Sequence, residues 1–482
     1  MANFSEINFK YTDAEEERLY APQLLEEAYV DINGILNAIT SPEKFLVVGP
    51  KGAGKTALAS KLLLMDKHKW NLFVDGDILE QFEYHLLNRT GGEKGTTIGG
   101  SLTAWQLILF LRIVPLFLKD VKFKDDNPSV TKLSESLKKY GLSDSDSLIS
   151  IIQYTSRRGI FGKVKSAISE VTGERVEEEN YKIKDPAALL SSIKSIFEKV
   201  VPSESEYYLV IDGLDYILRE GRDNTKYIAD LINSVRQLNI FFASLNLSAK
   251  VVILIRNEVL KVVPDPNLTK RINDNGVQLK WFDNVRSPFD SSLLEVIRSR
   301  AALAGYQASI RDLWYDWFPK DINHTGSFDF VITNTRYLPR DLISFFRELQ
   351  KLGKQPPFNR VDVLSALNNY SDWFLQELGD ALVGVINENI RVELPGIISE
   401  LGRSFQIGDL KEKLEEHGLL LKGVTAEQVA RDLFNSSWLG NRWDTSKGTP
   451  RYSWKHRKIN ANLNLKHELV VHSGLWKSLN LI

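Results

Sequence analysis

Eight consecutive residues, Gly49-Pro50-Lys51-Gly52-Ala53-Gly54-Lys55-Thr56, place three glycines, a terminal lysine and a threonine at fixed spacing. Glycines allow a backbone to wrap so tightly that successive N–H groups point at one anion. A helix starting directly afterwards adds its dipole to the same point. A lysine and a hydroxyl at the end of such a loop suit phosphate oxygens and a phosphate-bound magnesium ion. A second element is Tyr207-Tyr208-Leu209-Val210-Ile211-Asp212, an apolar run that ends in a carboxylate. Asp212 could hold magnesium through water, because a hard dication takes oxygen ligands. Asp215 follows three residues later and could orient an attacking water or cap the next helix. A third apolar run, 251–255, leads into Arg256-Asn257-Glu258. There Arg256 or Asn257 could bond a terminal phosphate, or simply be polar residues at a strand end.

The first element matches the Walker A pattern at every fixed position, and the second has the Walker B form. The expected ligands are therefore ATP or ADP and Mg2+. Gly49, Pro50, Lys51, Gly52, Ala53, Gly54, Lys55, Thr56 and Ala57 would line the phosphates. Lys55 would bridge the β- and γ-phosphates, and Thr56 with Asp212 would hold the metal. Lys55, Asp212, Asp215 and Arg256 form the expected catalytic set. No Asn-Lys-x-Asp run argues for guanine.

Something must hold these residues at one edge. Four short apolar runs, 44–48, 70–74, 207–211 and 251–255, alternate with helical patterns, which predicts an α/β fold with a parallel sheet covered on both faces. The sheet and loop are expected from 1–80 and 202–290. Between them, 81–201 is far longer than an ordinary connection and reads as a helical insertion. It contains a Gly/Thr-rich loop at 90–101, a charged loop at 122–128 and an amphipathic, charge-laced piece at 163–179. Helical patterns at 291–304, 310–317 and 340–352 predict a helical segment over 291–375, with a joint at Gly353-Lys354-Gln355-Pro356-Pro357. Three helices followed by strand-like runs at 451–454 and 468–472 give 376–482 the outline of a winged helix.

These residues resemble a known group. The Asp212-Gly213-Leu214-Asp215 form of Walker B resembles the STAND ATPases, signalling relatives of the AAA+ machines. AAA+ enzymes place a glutamate where this chain has Gly213. The run Asn334-Thr335-Arg336-Tyr337-Leu338-Pro339-Arg340-Asp341-Leu342 resembles the lid motif of that group. The resemblance implies that Pro339 packs near the base and that Arg340 senses phosphate. Leu469-Val470-Val471-His472-Ser473-Gly474-Leu475-Trp476 resembles the winged-helix segment in which a histidine contacts the ADP β-phosphate. His472 would then lock an ADP state, although Ser473 stands where the group has aspartate, and a lone histidine among apolar residues also suits a core position. With insert and C-terminal domain, the chain resembles bacterial P-loop ATPases of the origin-recognition and STAND branches, several of them linked to phage defence.

Composition narrows the partners. The chain has 482 residues, is 43% hydrophobic and carries a formal charge of -1, so it is no polycation and any nucleic-acid surface must be local. It contains no cysteine, which excludes thiolate metal sites and cysteine nucleophiles. The N-terminus shows no export signal, and the most apolar stretch, 104–118, contains Arg112 and Pro115 and is too short to span a bilayer. A cytoplasmic protein without membrane contact is expected. The tail carries Arg442, Lys447, Arg451, Lys455, Arg457, Lys458, Lys466 and Lys477 against only Asp444 and Glu468. Nonspecific DNA contact is conceivable there, but the candidate recognition helix at 425–434 offers Arg431 alone beside Glu427 and Asp432. Two functions follow: a nucleotide-driven switch acting in bacterial defence or signalling through an effector partner or as a homo-oligomer, and a DNA-associated ATPase using the basic tail. A trans-acting arginine could be Arg271, Arg298 or Arg300. A small-molecule kinase needs none of this elaboration.

Overall fold

The computed structural model describes residues 3–79, 100–139, 147–155, 166–171, 186–214, 225–282, 288–420 and 423–481. Asp215, most of the loop expected at 90–101 and most of the 163–179 piece lie outside these residues. The chain divides into two compact units. One comprises Gly34–Gly49 with Lys55–Gln278, and the other Met1–Asn33, Pro50–Gly54 and Leu279–Ile482.

The first unit is α/β. Five strands, β1 (Leu46–Val48), β2 (Leu72–Ile78), β3 (Glu206–Asp212), β4 (Ala249–Ile255) and β5 (Gly276–Gln278), form one parallel sheet in the order β2-β3-β4-β1-β5. Strand β4 is buried at every residue and β3 at its five central ones, because a sheet covered on both faces must be apolar on both. The run expected at 70–74 starts two residues later, leaving Trp70 79% exposed.

Helices from the 81–201 segment share a single core with the sheet. The helix Gly100–Phe117 packs against the helix Thr225–Ser244 and on β2 and β3. Trp105 Nε1 donates to the Tyr227 carbonyl at 3.0 Å, and Phe117 meets the Tyr207 ring at 4.6 Å. The charge that interrupts the apolar stretch is compensated: buried Arg112 pairs with Asp77 at 2.7 Å and with Asp75 at 3.2 Å. Among the described residues no helix is long and apolar enough to cross a membrane.

The second unit gathers helices Ser292–Leu303, Ile310–Trp317, Ser327–Ile332, Pro339–Lys351 and Arg360–Asp380, with a small hairpin of β6 (Asp321–Ile322) and β7 (Thr325–Gly326). The N-terminal segment completes its core. Phe4 lies 5.0 Å from both Trp317 and Phe358, and Gln350 Nε2 donates to the Phe4 and Ile7 carbonyls at 2.7 and 2.8 Å. Asn359 caps the helix Arg360–Asp380 in a reciprocal capping box with Asp362. That helix runs unbroken through the boundary expected at 375/376.

Helices Glu388–Leu401, Ile407–Glu416 and Ala426–Asn435 come next, with a four-stranded antiparallel sheet ordered β10-β9-β11-β8. Its strands are β8 (Ser404–Phe405), β9 (Leu439–Asp444), β10 (Pro450–Ser453) and β11 (Glu468–Val471). Strands β10 and β11 fall where strand-like runs were expected, whereas β9, alternating with Asn441 and Arg442, was not anticipated.

Candidate functional site

In the sheet unit, all five strands end at one edge, and the order of the strands places a crevice there. The connection leaving β1 heads for the β2 edge, while that leaving β4 heads for the β5 edge. Adjacent parallel strands whose connections part in this way leave a ligand crevice beyond their C-terminal ends. Gly49 follows β1 and Arg256 follows β4, so both residues stand at that point. The Gly49 N–H donates to the Ile255 carbonyl at 3.3 Å, and Arg256 is the N-cap residue of the helix Asn257–Val262.

Lys55 opens the helix Lys55–Asp66 and is 8% exposed, its ammonium donating to the Gly49 carbonyl at 3.0 Å. The next residue makes the most informative contact. The Thr56 hydroxyl donates to Asp212 Oδ2 at 2.7 Å, across 156 residues of sequence, and Asp212 Oδ1 accepts from the Gly213 N–H at 2.8 Å. Gly213 takes φ +80°, which lets the chain turn away directly after the carboxylate. Ala57 lies half-buried in the first turn of the same helix. A hydroxyl and a carboxylate in contact beside a helix-start lysine are hard oxygen donors next to an ammonium group, a donor set that fits a magnesium nucleotide. Among the described residues no three His, Asp or Glu side chains converge on a metal position, so such an ion would draw its other ligands from phosphate and water.

The second unit contains the middle of the loop, Pro50–Gly54, and a dense set of charges. Gly52 has φ +87°, and a Cβ there would lie 3.2 Å from the Cβ of Arg340, so a side chain would be strained in conformation and crowded against Arg340. The Ala53 carbonyl accepts from Trp281 Nε1 at 2.8 Å. Lys51 Nζ lies 3.0 Å from Glu377 Oε2. Pro339 opens the helix Pro339–Lys351, where its missing N–H costs no hydrogen bond. Arg340 donates to the Thr12 carbonyl at 3.2 Å and stands 3.5 Å from Glu377 Oε1. Behind it, buried Arg336 forks onto Asp341 at 2.9 and 2.6 Å and reaches to 3.7 Å from Glu377. Burial alone would raise the Glu377 pKa, but Arg336, Lys51 and Arg340 outweigh it and hold the carboxyl below its usual range.

His472 follows β11 and is 2% exposed. Its Nδ1 accepts from the Gly474 N–H at 3.1 Å, and its ring lies 5.1 Å from Phe374, 5.2 Å from Trp454 and 5.1 Å from His456. Burial, with Arg457 and Arg336 nearby, pushes its pKa down to about 3, so the imidazole is neutral. Neither ring nitrogen of His456 has a hydrogen-bond partner, although both are buried. The residues around Gly474 are equally tight: a Cβ there would come within 2.3 Å of the Asn334 carbonyl.

Part of the basic tail is committed internally. Arg442 pairs with Glu468 at 2.7 Å, Lys455 donates to the Ala461 carbonyl at 2.7 Å, and Arg457 sits over the Tyr337 ring at 5.1 Å. Lys447, Arg451, Lys458 and Lys466 are exposed. The three candidate trans-acting arginines all have acidic partners: Arg271 with Asp265, Arg298 with Glu295 and buried Arg300 with Glu17.

Sequence reasoning named Lys51 and Arg340 but missed Glu377, Arg336 and Asp341. Asp341 could have been suspected from its place five residues after Arg336 at a helix start. Glu377 carries no local signal.

Residues 291–379 match the family described as FunZ-associated C-terminal helical domain. The match starts at the cap of the helix Ser292–Leu303 and ends within the helix Arg360–Asp380, so it takes in Arg336, Arg340 and Glu377. No curated protein matches the chain.

Proposed function

We propose that the chain is an ATP-binding and ATP-hydrolysing molecular switch of the P-loop class. The observation that carries this is the Thr56–Asp212 contact beside Lys55, which joins the helix start after β1 to the C-terminal end of β3. A loop, a hydroxyl and a carboxylate separated by 156 residues have no structural need to meet at a crevice, whereas a magnesium nucleotide needs all three there.

In this reading, loop N–H groups and the start of the Lys55–Asp66 helix bind the phosphates, and Lys55 bridges the β- and γ-groups. The Thr56 hydroxyl and Asp212 would hold Mg2+, whose charge offsets that building up on the transferred phosphoryl group. Asp215 orients the attacking water, and Arg256 at the tip of β4 reads the terminal phosphate. Pro339 packs near the base and Arg340 senses phosphate. The helices of 291–375 act as a lid, and 376–482 is a winged-helix domain. The nucleotide state is passed to an effector partner or a second copy, in bacterial defence or signalling.

Such a switch works only if ATP and ADP make different contacts in its two states. His472, neutral and able to hydrogen-bond phosphate, is the residue through which an ADP state would be locked. The pairing of Arg442 with Glu468 and the engagement of Lys455 and Arg457 by groups of this chain favour the switch over a DNA-associated ATPase, because they occupy three of the tail's cations. The deciding experiment is ATP turnover with and without double-stranded DNA. DNA-indifferent turnover that vanishes in Lys55→Ala supports the switch, and turnover stimulated by DNA supports the alternative.

A further inference from the structure

Three cations converge on one carboxylate in the second unit, and they are not equivalent. Arg336 is buried, with a side chain only 6% exposed, and its Nε–Nη2 edge is engaged by Asp341. Lys51 and Arg340 are 23% and 26% exposed, and both turn to Glu377. Glu377 Oε2 meets Lys51 at hydrogen-bond distance, while Oε1 is buried without a hydrogen bond, held by the charges of Arg340 and Arg336 at 3.5 and 3.7 Å. Lys51 belongs to the Pro50–Gly54 segment, and the start of the Arg340 helix lies against Gly52.

We propose that Glu377 is a carboxylate clamp that holds Lys51 and Arg340 in the absence of nucleotide and is displaced by a nucleoside triphosphate. This rests on the nucleotide reading above and assigns that site its regulation. A carboxylate engaging a lysine and an arginine side by side presents the same chemistry as a phosphate group. A triphosphate carries more negative charge than one carboxylate and accepts more hydrogen bonds, so it draws both partly exposed cations away. Glu377 is then left with Arg336 alone, which Asp341 already occupies. An uncompensated carboxylate in a nearly buried place is unfavourable. The helix Arg360–Asp380, which carries Glu377, must shift or expose it. The helix would thereby register the terminal phosphate, because a diphosphate has less charge with which to compete.

The test uses the full chain and two readouts. Glu377→Gln keeps the shape and removes the charge, and Lys51→Ala removes the other partner; a thermal melt checks that each folds. Without nucleotide, both variants are expected to speed amide hydrogen exchange several-fold in peptides covering residues 50–54. By calorimetry, Glu377→Gln is expected to bind ATP about tenfold more tightly than the native chain, with a smaller gain for ADP. Unchanged exchange in both variants overturns the clamp. Faster exchange with weaker ATP binding also overturns it, because Glu377 would then be positioning the cations rather than competing for them. If the native chain binds no ATP at all, the nucleotide reading falls and displacement with it, while the exchange result still decides whether the clamp exists.

Discussion

The two units hold their polar groups in opposite ways. In the sheet unit, Lys55, Thr56, Asp212 and Arg256 sit at the ends of strands and the start of a helix, placed by backbone geometry and by hydrogen bonds such as Lys55 to the Gly49 carbonyl and Thr56 to Asp212. In the second unit, Arg336, Asp341, Glu377, Lys51 and Arg340 are fixed by one another, in a place largely shielded from water. Groups fixed by the backbone can be altered singly at a cost to chemistry. Groups fixed by mutual charge cannot, because removing one leaves its partners buried and uncompensated.

That contrast can be broken most severely at Asp341, which is fully buried and accepts from the Arg336 backbone N–H and guanidinium. Asp341→Ala is expected to cost about 3–5 kcal/mol in denaturant unfolding, and adding Arg336→Met should restore part of it. A loss below about 1 kcal/mol would show that the cluster is not mutually dependent. At the other unit, Asp212→Asn should lower ATP turnover about a hundredfold, roughly 2.7 kcal/mol in the barrier, with unfolding free energy changed by less than about 1 kcal/mol. A large stability loss there would erase the distinction between the units.

Smaller effects sharpen the picture within the second unit. Gly474→Ala must push against the Asn334 carbonyl and the Phe374 ring, at 2.3 and 2.8 Å from the new carbon, and should destabilise by about 1–3 kcal/mol in a thermal melt. His472 gives a pH signature. Its pKa in the fold is depressed to about 3 by burial, against about 6.5 unfolded, so below pH 6.5 the unfolded chain takes up a proton that the fold excludes. Its stabilising contribution is complete above pH 6.5 and is lost as pH falls, by about 1.4 kcal/mol per unit between roughly pH 6 and 4. Comparing His472→Phe with the native chain across that range should show a shallower acid loss in the variant. Parallel curves would mean that the ring is protonated in the fold.

What the sequence disclosed follows the same division. The glycine-rich loop and the apolar strands 207–211 and 251–255 are local patterns, written in neighbouring residues, and the parallel sheet follows from their alternation with helices. Strand β5 has three residues and an edge position, too little to leave a pattern. Strand β9 presents Asn441 and Arg442 among its apolar residues, so alternation alone did not single it out. The Glu377 cluster was not readable, because Lys51 and Glu377 are 326 residues apart and nothing near either foretells the other. The docking of Phe4 and Ile7 onto Gln350 is hidden for the same reason. His472 was legible only as two alternatives, a phosphate contact or a core residue. The structure adds its acceptance from Gly474 and its aromatic surroundings.

The central claim, that residues 49–56 bind a magnesium nucleotide, is tested most directly by calorimetric titration of ATP with Mg2+ into the native chain and Lys55→Ala. Saturable one-site binding by the native chain, lost in Lys55→Ala at unchanged melting temperature, is the predicted result. Equal binding by both, or none by either, would contradict it.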